Sequence, residues 1–152
     1  MVKRTVLGAV ECPVARALDV MGDWWSLLIV RDALDGVRRF GEFQRSLGVA
    51  KNILSARLRA LQAQGVLEQV PASDGSAFLE YQLTPKGRDL FEVVVSLRQW
   101  GERHTFGAKE RHSVLVDKAQ GKPVARLVVQ AQDGRPLGPD EAVVRKVAAL
   151  RR

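Results

Sequence analysis

The segment Val49–Gln64, followed directly by Gly65, constrains the fold more than any other part of the chain. Leu54, Leu58 and Leu61 are spaced at i, i+4 and i+7, so they share one face of a helix. A glycine directly after such a pattern is well placed to end the helix in the left-handed conformation. The segment therefore predicts a helix that packs its leucine face against a core.

The face opposite the leucines is short and polar. Because successive residues of a helix are rotated by about 100°, four residues point outward together. They are Asn52, Ser55, Ala56 and Arg59. Asn and Arg side chains can form paired hydrogen bonds to the edges of adenine and guanine in the major groove of DNA. The solvated side of an ordinary amphipathic helix is equally polar, so the neighbouring segments must decide between the two interpretations.

A short helix precedes this segment. Phe40 and Phe43 repeat at helical spacing, which predicts a helix over residues 41–47. Gly48 then allows a tight turn into the next helix, and this order of short helix, glycine turn and second helix is the layout of a helix-turn-helix. The pair Arg38-Arg39 stands at its entrance, where cations suit contacts to DNA phosphates.

Two further helices are expected nearer the start of the sequence, over residues 13–21 and 24–34. Pro13 opens the first of them, and proline is favoured at the first position of a helix. Trp24 and Trp25 lie within the apolar pattern of the second. We expect them to anchor the core or an interface, since base stacking needs exposed rings that an apolar helix rarely supplies.

After Gly65 the pattern changes from helix to strand. Residues 66–70 and 78–83 are candidate strands, and the loop that joins them has its tip at Asp74-Gly75. Two strands joined by a loop directly after a helix-turn-helix form a wing. The wing, residues 66–83, contains no Lys or Arg, which argues against strong contacts from it to DNA phosphates.

A long helix is expected over residues 85–104. Thr84 is suited to cap it, and Pro85 is favoured at its first position. Apolar residues lie on more than one side of this helix, more than a domain of this size can bury against itself, so we expect a subunit interface. The residues assigned to that interface are Trp24, Trp25, Leu90, Val94, Leu97 and Trp100.

The sequence divides into a main domain over residues 11–106 and a C-terminal extension over residues 107–152. The extension holds ten of the 24 Lys and Arg residues and five of the 17 acidic ones, so much of the positive charge lies outside the helix-turn-helix. Its expected elements are strands over residues 113–117 and 124–130, a turn at Asp133-Gly134 and a helix over residues 139–150.

Charge and composition favour an anionic partner, nucleic acid first. The chain has 152 residues, a formal net charge of +7 and a pI near 10.2. No apolar run reaches the ~18 residues that a membrane span needs, and Glu11 and Pro13 interrupt any signal-peptide pattern. A single cysteine excludes an internal disulfide framework and favours a reducing, cytoplasmic environment.

Catalysis and metal binding have no support in the sequence. Serine, histidine and carboxylate residues form no nucleophilic cluster, and no glycine-rich loop suggests a nucleotide site. The two histidines, His104 and His112, and the one cysteine have no zinc-like spacing. We therefore expect no enzyme activity, no cofactor and no metal.

Seven segments stand in order along residues 11–105. They are Cys12-Pro13, Gly22-x-Trp24, Leu27–Leu34, Arg39-Phe40-x-Glu42-Phe43, Leu54-x-x-Arg57-Leu58-x-x-Leu61-x-x-x-Gly65-Val66-Leu67, Glu80-Tyr81-x-Leu83-Thr84-x-x-Gly87-x-x-Leu90 and Trp100-Gly101. In this order and spacing they resemble the HxlR-type transcriptional regulators, relatives of the MarR-like winged helices. The resemblance implies a homodimeric, cytoplasmic DNA-binding protein, often a repressor, that pairs through its N-terminal helix and its long C-terminal helix.

The resemblance also implies roles for individual positions. Residues Lys51 to Arg59 would enter the major groove, and Arg38 and Arg39 would approach the DNA backbone. The wing departs from the family, because relatives often carry at least one basic residue there. The extension beyond Phe106 is longer than in the shortest members, and the resemblance assigns it no role. The predicted DNA contacts are Arg38, Arg39, Lys51, Asn52, Ser55, Ala56 and Arg59.

Cys12 is the sensor candidate, since in some members of the family the N-terminal cysteine senses oxidants or electrophiles. At the start of a helix, unpaired backbone amides favour the reactive thiolate, which could bridge two subunits or be capped reversibly. A small buried cysteine that never reacts is one alternative. Another is a small effector in an aromatic cavity between the dimer helices. Its candidate lining is Trp24, Trp25, Phe91 and Trp100.

These observations predict an α+β, mostly α fold. It is a winged helix-turn-helix with a two-stranded β wing, a long C-terminal dimerisation helix and a small β-hairpin/helix tail. We expect a homodimer on an inverted-repeat site in double-stranded DNA, with half-sites about one helical turn apart. The competing interpretation is a winged-helix protein-interaction module with weak or no DNA binding, which the wing without cations and the basic extension leave open.

Overall fold

The structure is a computed structural model that describes residues 11–147. Within this range the chain is mostly helical with one two-stranded antiparallel sheet, which confirms the predicted fold class. The elements are α1 (Pro13–Met21), α2 (Trp24–Leu34), α3 (Phe40–Leu47), α4 (Lys51–Ala63), β1 (Leu67–Pro71), β2 (Leu79–Leu83), α5 (Pro85–Arg88), α6 (Phe91–His104) and a 3-10 turn at Pro139–Glu141.

Contacts divide the chain into two compact units, one ending at Val94 and the other beginning at Val95. The division therefore falls inside α6, whereas the sequence suggests residue 106. Side chains of the second half of α6 explain this, because Arg98 and Gln99 bond to the extension. No helix in the described range is long and apolar enough to cross a membrane.

The leucine face of α4 forms the centre of the first unit. Leu54, Leu58 and Leu61 are fully buried, as their spacing predicted. They pack in one cluster with Ile29 of α2 and Phe43 of α3. Full burial of such a side chain contributes about 1.5–3 kcal/mol, so this cluster fixes how α4 lies on the two preceding helices.

Glycines end both helices of the helix-turn-helix. Gly48 follows α3 with φ 62°, and Gly65 follows α4 with φ 71°. Both angles lie in the left-handed region, which glycine adopts without a steric penalty. The short turn after Gly48 then leads into α4, whose first residue is Lys51. The predicted stop signal at Gly65 is confirmed.

The wing pairs β1 with β2 in an antiparallel register that places Leu67 opposite Leu83. Each strand begins one residue later than the sequence suggested. The loop before α3 adds a further contact, because the backbone N–H of Tyr81 donates to the carbonyl of Arg38 at 2.7 Å. The entrance of the helix-turn-helix is therefore hydrogen-bonded to the wing.

The single helix expected over residues 85–104 is wrong, because the chain bends between α5 and α6. The backbone N–H of Leu90 bonds to the carbonyl of Gly87 at 3.1 Å, a tighter turn than that of an α-helix. The bend carries Leu90 into the core, where it is 7% exposed. Burial of this side chain explains why the helical pattern is interrupted here.

Gly87 packs so closely that a side chain has no room. A Cβ at this position would lie 2.2 Å from the carbonyl oxygen of Val66 and 2.9 Å from Cδ2 of Leu83. Gly87→Ala should therefore lower the free energy of unfolding by about 1–3 kcal/mol through overpacking. Gly101→Ala is the matched control, since its Cβ would meet nothing nearer than Oγ1 of Thr105 at 3.9 Å. Thermal unfolding of both variants tests this, and equal midpoints would contradict it.

The extension is held to α6 by side chains. Nε2 of Gln99 donates to the carbonyl of Ala125 at 3.0 Å, and Oε1 of Gln99 accepts from the backbone N–H of Leu127 at 2.9 Å. Nη1 of Arg98 donates to the carbonyl of Ser113 at 3.0 Å. Gln99 is buried. Its side-chain amide satisfies one carbonyl and one N–H of the extension that a neighbouring strand would otherwise bond.

The expected elements of the extension are largely wrong. The strands over residues 113–117 and 124–130 reduce to one bridge between Val116 and Pro123, and a second bridge joins Gln130 to Pro136. Both bridges end at a proline, which has no N–H to continue a ladder. The turn at Asp133-Gly134 is confirmed.

The helix expected over residues 139–150 is also wrong in its first half. The 3-10 turn at Pro139–Glu141 is followed by residues 142–146 without regular structure. The favourable charge order of Asp140 and Glu141 before the later cations is not enough, because no residue of the turn is buried and short helices need packing to persist. Residues 148–150 of that prediction lie outside the described residues, as does the lead-in over residues 1–10.

Candidate nucleic-acid interface

The outward face of α4 is free to meet another molecule. Lys51, Asn52, Ala56 and Arg59 are exposed, and Ser55 is half-buried. The side chains of Lys51, Asn52 and Arg59 form no hydrogen bond or ion pair within residues 11–147. Unpaired amide and guanidinium donors beside a methyl group are the groups that read base edges in a major groove. The predicted site residues of α4 thus lie together on one surface.

Two polar contacts hold α4 in place beside its leucine face. Nε of Arg57 lies 3.6 Å from Oδ1 of Asp23, whose carboxylate also caps α2 by accepting from the backbone N–H of Ser26. At the other end, Nζ of Lys86 donates to the carbonyl of Gln64 at 2.6 Å. These contacts fix the orientation of the exposed face, and the sequence pattern predicts neither of them. Arg57, which lies within the range expected to enter the major groove, instead faces Asp23.

The sequence predicts that Arg39 is available to bind a phosphate, but in the structure its guanidinium is already paired with acids of the wing. Its Nη2 lies 2.5 Å from Oδ2 of Asp74 and 3.6 Å from Oε1 of Glu80. Its guanidinium also lies 5.7 Å from the centre of the Phe78 ring, a cation–π contact. The guanidinium charge is therefore directed at the wing, and Arg39 clamps the wing to the start of α3.

Two acids near Arg39, Asp74 and Glu42, have lowered pKa values. Hydrogen bonds from Ser76, followed by the Arg39 guanidinium, hold the pKa of the Asp74 carboxyl well below its usual range. The backbone amides of Arg38 and Arg39 lower the pKa of Glu42, whose Oε2 accepts from both at 3.1 and 3.0 Å. Each carboxylate is thus stabilised in its charged form by groups that belong to the wing or the entrance of α3.

The lowered pKa of Asp74 predicts how the wing responds to acid. The folded-state pKa lies below the unfolded one, so the clamp stabilises the wing above the usual titration range of aspartate, about pH 4, and is lost as the pH falls through the folded value. Arg39→Gln should raise the pKa of Asp74, measured from its carboxyl carbon shift by NMR. Arg45→Gln, an exposed arginine of α3 without an ion pair in the described chain, is the control. An unchanged Asp74 titration in Arg39→Gln would contradict the clamp.

Arg38 is the cation that the entrance leaves available. Its guanidinium meets no carboxylate among the described residues, and its one side-chain contact is from Nη1 to Oε1 of Gln82 at 3.4 Å. The wing itself carries Glu68, Asp74 and Glu80 and no cation. The wing therefore supplies no positive charge beside α4, whereas Arg38 at the entrance does.

The residues predicted to form a subunit interface fall into two groups. Trp24 is 77% exposed, and Leu97 and Trp100 are each 55% exposed. Leu90 is buried in the core of its own unit, and Trp25 and Val94 are partly buried against that core. Leu90 therefore has almost no surface to offer a partner, because the bend before α6 turns it inward.

Opposite sides of α6 have different environments. Val95 and Gln99 are buried on one side, and Gln99 bonds to the extension there. Val93, Leu97 and Trp100 lie on the other side at i, i+4 and i+7 and are exposed. The second side is an apolar stripe, continued by the ring of His104, which lies 5.1 Å from that of Trp100.

Cys12 lies at the N-cap of α1 and is exposed. Its carbonyl accepts the first helical hydrogen bond, from the backbone N–H of Arg16 at 3.1 Å. The thiol is therefore accessible, which removes the alternative of a cysteine shielded in the core of its own subunit. Lys3 and Arg4, whose charges would also favour the thiolate if that segment folded back, lie outside the described residues. In the described part of the chain, no three His, Cys, Asp or Glu residues cluster as a metal site would require.

The chain matches the profile of the HxlR-like helix-turn-helix family over residues 20–109. That span is more than half of the chain and contains the whole helix-turn-helix, the wing and α6. It begins after Cys12, so the match says nothing about the thiol.

Individual relatives agree with the profile. An uncharacterized HTH-type transcriptional regulator of Mycobacterium tuberculosis (strain ATCC 25618 / H37Rv) is 48% identical over 91 residues, which cover 60% of this chain and 58% of that relative. The matched part thus spans less than two thirds of the relative's length. The crystal structure of PA1607, a proposed transcription factor, is 55% identical with a TM-score of 0.88 and covers 93% of this chain and 99% of that one.

A third similar protein is a redox regulator. The oxidized form of HypR is 34% identical with a TM-score of 0.56, and the match covers 61% of this chain and 97% of HypR. The likeness to PA1607 includes most of the extension, whereas the likeness to HypR is limited to about three fifths of the chain. The two solved structures therefore differ in how much of this chain they match.

Proposed function

The chain belongs to the HxlR-like helix-turn-helix family, and we propose that it is a transcriptional regulator that reads double-stranded DNA with the outward face of α4. The observation that carries this proposal is the exposed and unpaired set Lys51, Asn52 and Arg59 on a helix whose opposite face is locked in the core. Such rigid placement is what direct readout of bases needs.

The proposed regulator acts as a homodimer and as a repressor. The exposed stripe of Val93, Leu97 and Trp100 on α6 supports pairing, because apolar stripes on a helix are normally covered. Two-fold pairing would present two α4 helices to an inverted repeat, with half-site centres about 34–36 Å apart.

A binding experiment tests the proposal. Fluorescence anisotropy with DNA from upstream of the protein's own coding sequence should give specific binding over a scrambled duplex. Because phosphate contacts release counterions, the affinity should fall as salt rises from about 50 to 200 mM. Equal affinity for the scrambled duplex at both salt concentrations would instead favour the winged-helix interaction module, which the acidic wing supports.

Cys12 is the proposed redox sensor of this regulator. Its exposure at the N-cap of α1 and the similarity to the redox regulator HypR support the assignment. A small effector between dimer helices is the competing proposal, and the exposed Trp24 and Trp100 support it.

Oxidation should separate these two proposals. Diamide should weaken specific DNA binding of the wild type by about tenfold or more, since a coupling of 1.4 kcal/mol corresponds to tenfold. Cys12→Ser should bind DNA equally well with and without diamide. On a non-reducing gel, diamide-treated wild type should give a band at dimer mass, and Cys12→Ser should not. A wild type that is indifferent to diamide would contradict the redox role and direct attention to the effector.

A further inference from the structure

A half-open cleft of about 200 Å³ lies beside the entrance of the helix-turn-helix. It is formed by the end of α2, the loop before α3, the strand β2 and the short helix α5. None of its residues belongs to the outward face of α4. The lining residues are Ala33, Arg38, Tyr81, Gln82, Leu83 and Arg88.

The cleft holds two cations and no carboxylate. Several other arginines of this unit have acidic partners, for example Arg31, whose Nη2 lies 2.8 Å from Oδ1 of Asp32. Arg38 meets only Oε1 of Gln82, at 3.4 Å, and the guanidinium of Arg88 has no hydrogen bond or ion pair in the described chain. Oε2 of Glu42, an acid four residues after Arg38, accepts from two backbone amides and not from the Arg38 guanidinium.

The chemistry of these groups selects an oxyanion. Guanidinium groups bind carboxylate and phosphoryl oxygens through paired, charge-assisted hydrogen bonds. Since the carbonyl oxygen of the Gln82 amide faces Arg38, its NH2 group remains to donate. We propose that the cleft binds a phosphoryl or carboxylate oxyanion between Arg38 and Arg88, with the Gln82 amide as a third donor.

The walls of the cleft connect it to α3 and to the wing. The carbonyl of Arg38 accepts from the N–H of Tyr81, whose ring lies edge-on to that of Phe43 of α3 at 6.2 Å. The next residue, Arg39, clamps the wing. An oxyanion held here fixes α3 and the wing relative to each other. This use of the site rests on the proposed function, and the oxyanion is either a phosphate of the DNA backbone or a free small anion.

Inorganic phosphate is the probe for the cleft itself. Titrated into the DNA-free full chain at constant ionic strength, it should shift the backbone amide signals of Tyr81 and Gln82 saturably, with a Kd of about 1–10 mM. Arg88→Gln should weaken this binding at least fivefold. Arg103→Gln is the matched control, because Arg103 is also exposed but lies in the last turn of α6. The proposal is overturned if phosphate causes no saturable shift or binds Arg88→Gln as well as it binds the wild type.

The dependence of DNA affinity on salt identifies the source of the oxyanion. If Arg88 holds a backbone phosphate, Arg88→Gln should reduce the slope of log affinity against log salt by about one. An unchanged slope assigns the site to a free anion. The phosphate titration contains no DNA, so its outcome does not depend on whether the chain regulates transcription, and a loss of DNA binding elsewhere would not be mistaken for failure of the cleft.

Discussion

Asn52→Ala and Arg59→Ala should each lower the affinity for the specific DNA site by about 5- to 100-fold. A good bidentate contact to a base edge contributes about 1–3 kcal/mol of discrimination, and 1.4 kcal/mol corresponds to tenfold in affinity. Both side chains are exposed and have no partner in the described chain, so their removal should leave the free energy of unfolding unchanged. The loss should therefore appear in DNA binding and not in thermal stability.

The two variants should differ in how they fail. Asn52 is neutral, so Asn52→Ala should keep the affinity for non-specific DNA and its salt dependence. Arg59→Ala also removes a charge and should weaken non-specific binding slightly. Arg103→Ala removes an exposed arginine outside α4 and serves as the control. Anisotropy titrations on specific and scrambled duplexes make the comparison, and wild-type affinity in both α4 variants would refute the assignment of the reading face.

Leu97→Asp should weaken the homodimer by 100-fold or more. Leu97 is the centre of the exposed stripe on α6, between Val93 and Trp100. Within one subunit the aspartate meets water, so folding should be preserved. In a dimer the same carboxylate would be buried without a partner, which costs several kcal/mol. Sedimentation velocity across a dilution series measures the effect.

Val144→Asp is the matched control for this variant. Val144 is also an exposed apolar residue, but it lies in the extension and outside α6. The control should leave the dimer intact. If Leu97→Asp sediments as the wild type does at every concentration, the stripe on α6 is not the dimer interface.

Local patterns account for the parts of the fold that could be predicted. Leu54, Leu58 and Leu61 repeat at the spacing of a helix, so the sequence alone predicts α4. Gly65 predicts where the helix ends, because glycine readily adopts the left-handed conformation found there. The break before α6 could not be predicted in this way. The break depends on the burial of Leu90 in the core and on the close packing of Gly87 against Val66. Both are features of tertiary packing, which the local sequence does not reveal.

The pairing of Arg39 with the wing is the feature of the candidate site that could not be predicted from local sequence patterns. Arg38 and Arg39 are adjacent and look equivalent, yet Asp74, which is 35 residues away from Arg39, claims only the second of them. No periodicity reports such a pair. The acidic wing is a usable signal, because acids without a cation in their own segment favour pairing with one from elsewhere, as Asp74 and Glu80 do with Arg39.

The predicted strands of the extension are wrong for a different reason. Its turn residues were informative, and the turn at Asp133-Gly134 is present. The two strands are expected as a hairpin around the turn at Gly121-Lys122-Pro123, but a strand needs a partner with free N–H groups. Pro123 and Pro136 end both bridges, and the amide of Gln99 provides the contact that a neighbouring strand would otherwise make.

Selection from a random pool of DNA duplexes tests the central claim most directly, because every possible half-site competes in the same pool. The full chain should enrich an inverted repeat whose half-site centres are about one helical turn apart. Asn52→Ala and Arg59→Ala should each lose the preference at one position of the half-site. A well-folded full chain that enriches no sequence would contradict the claim that the outward face of α4 reads DNA.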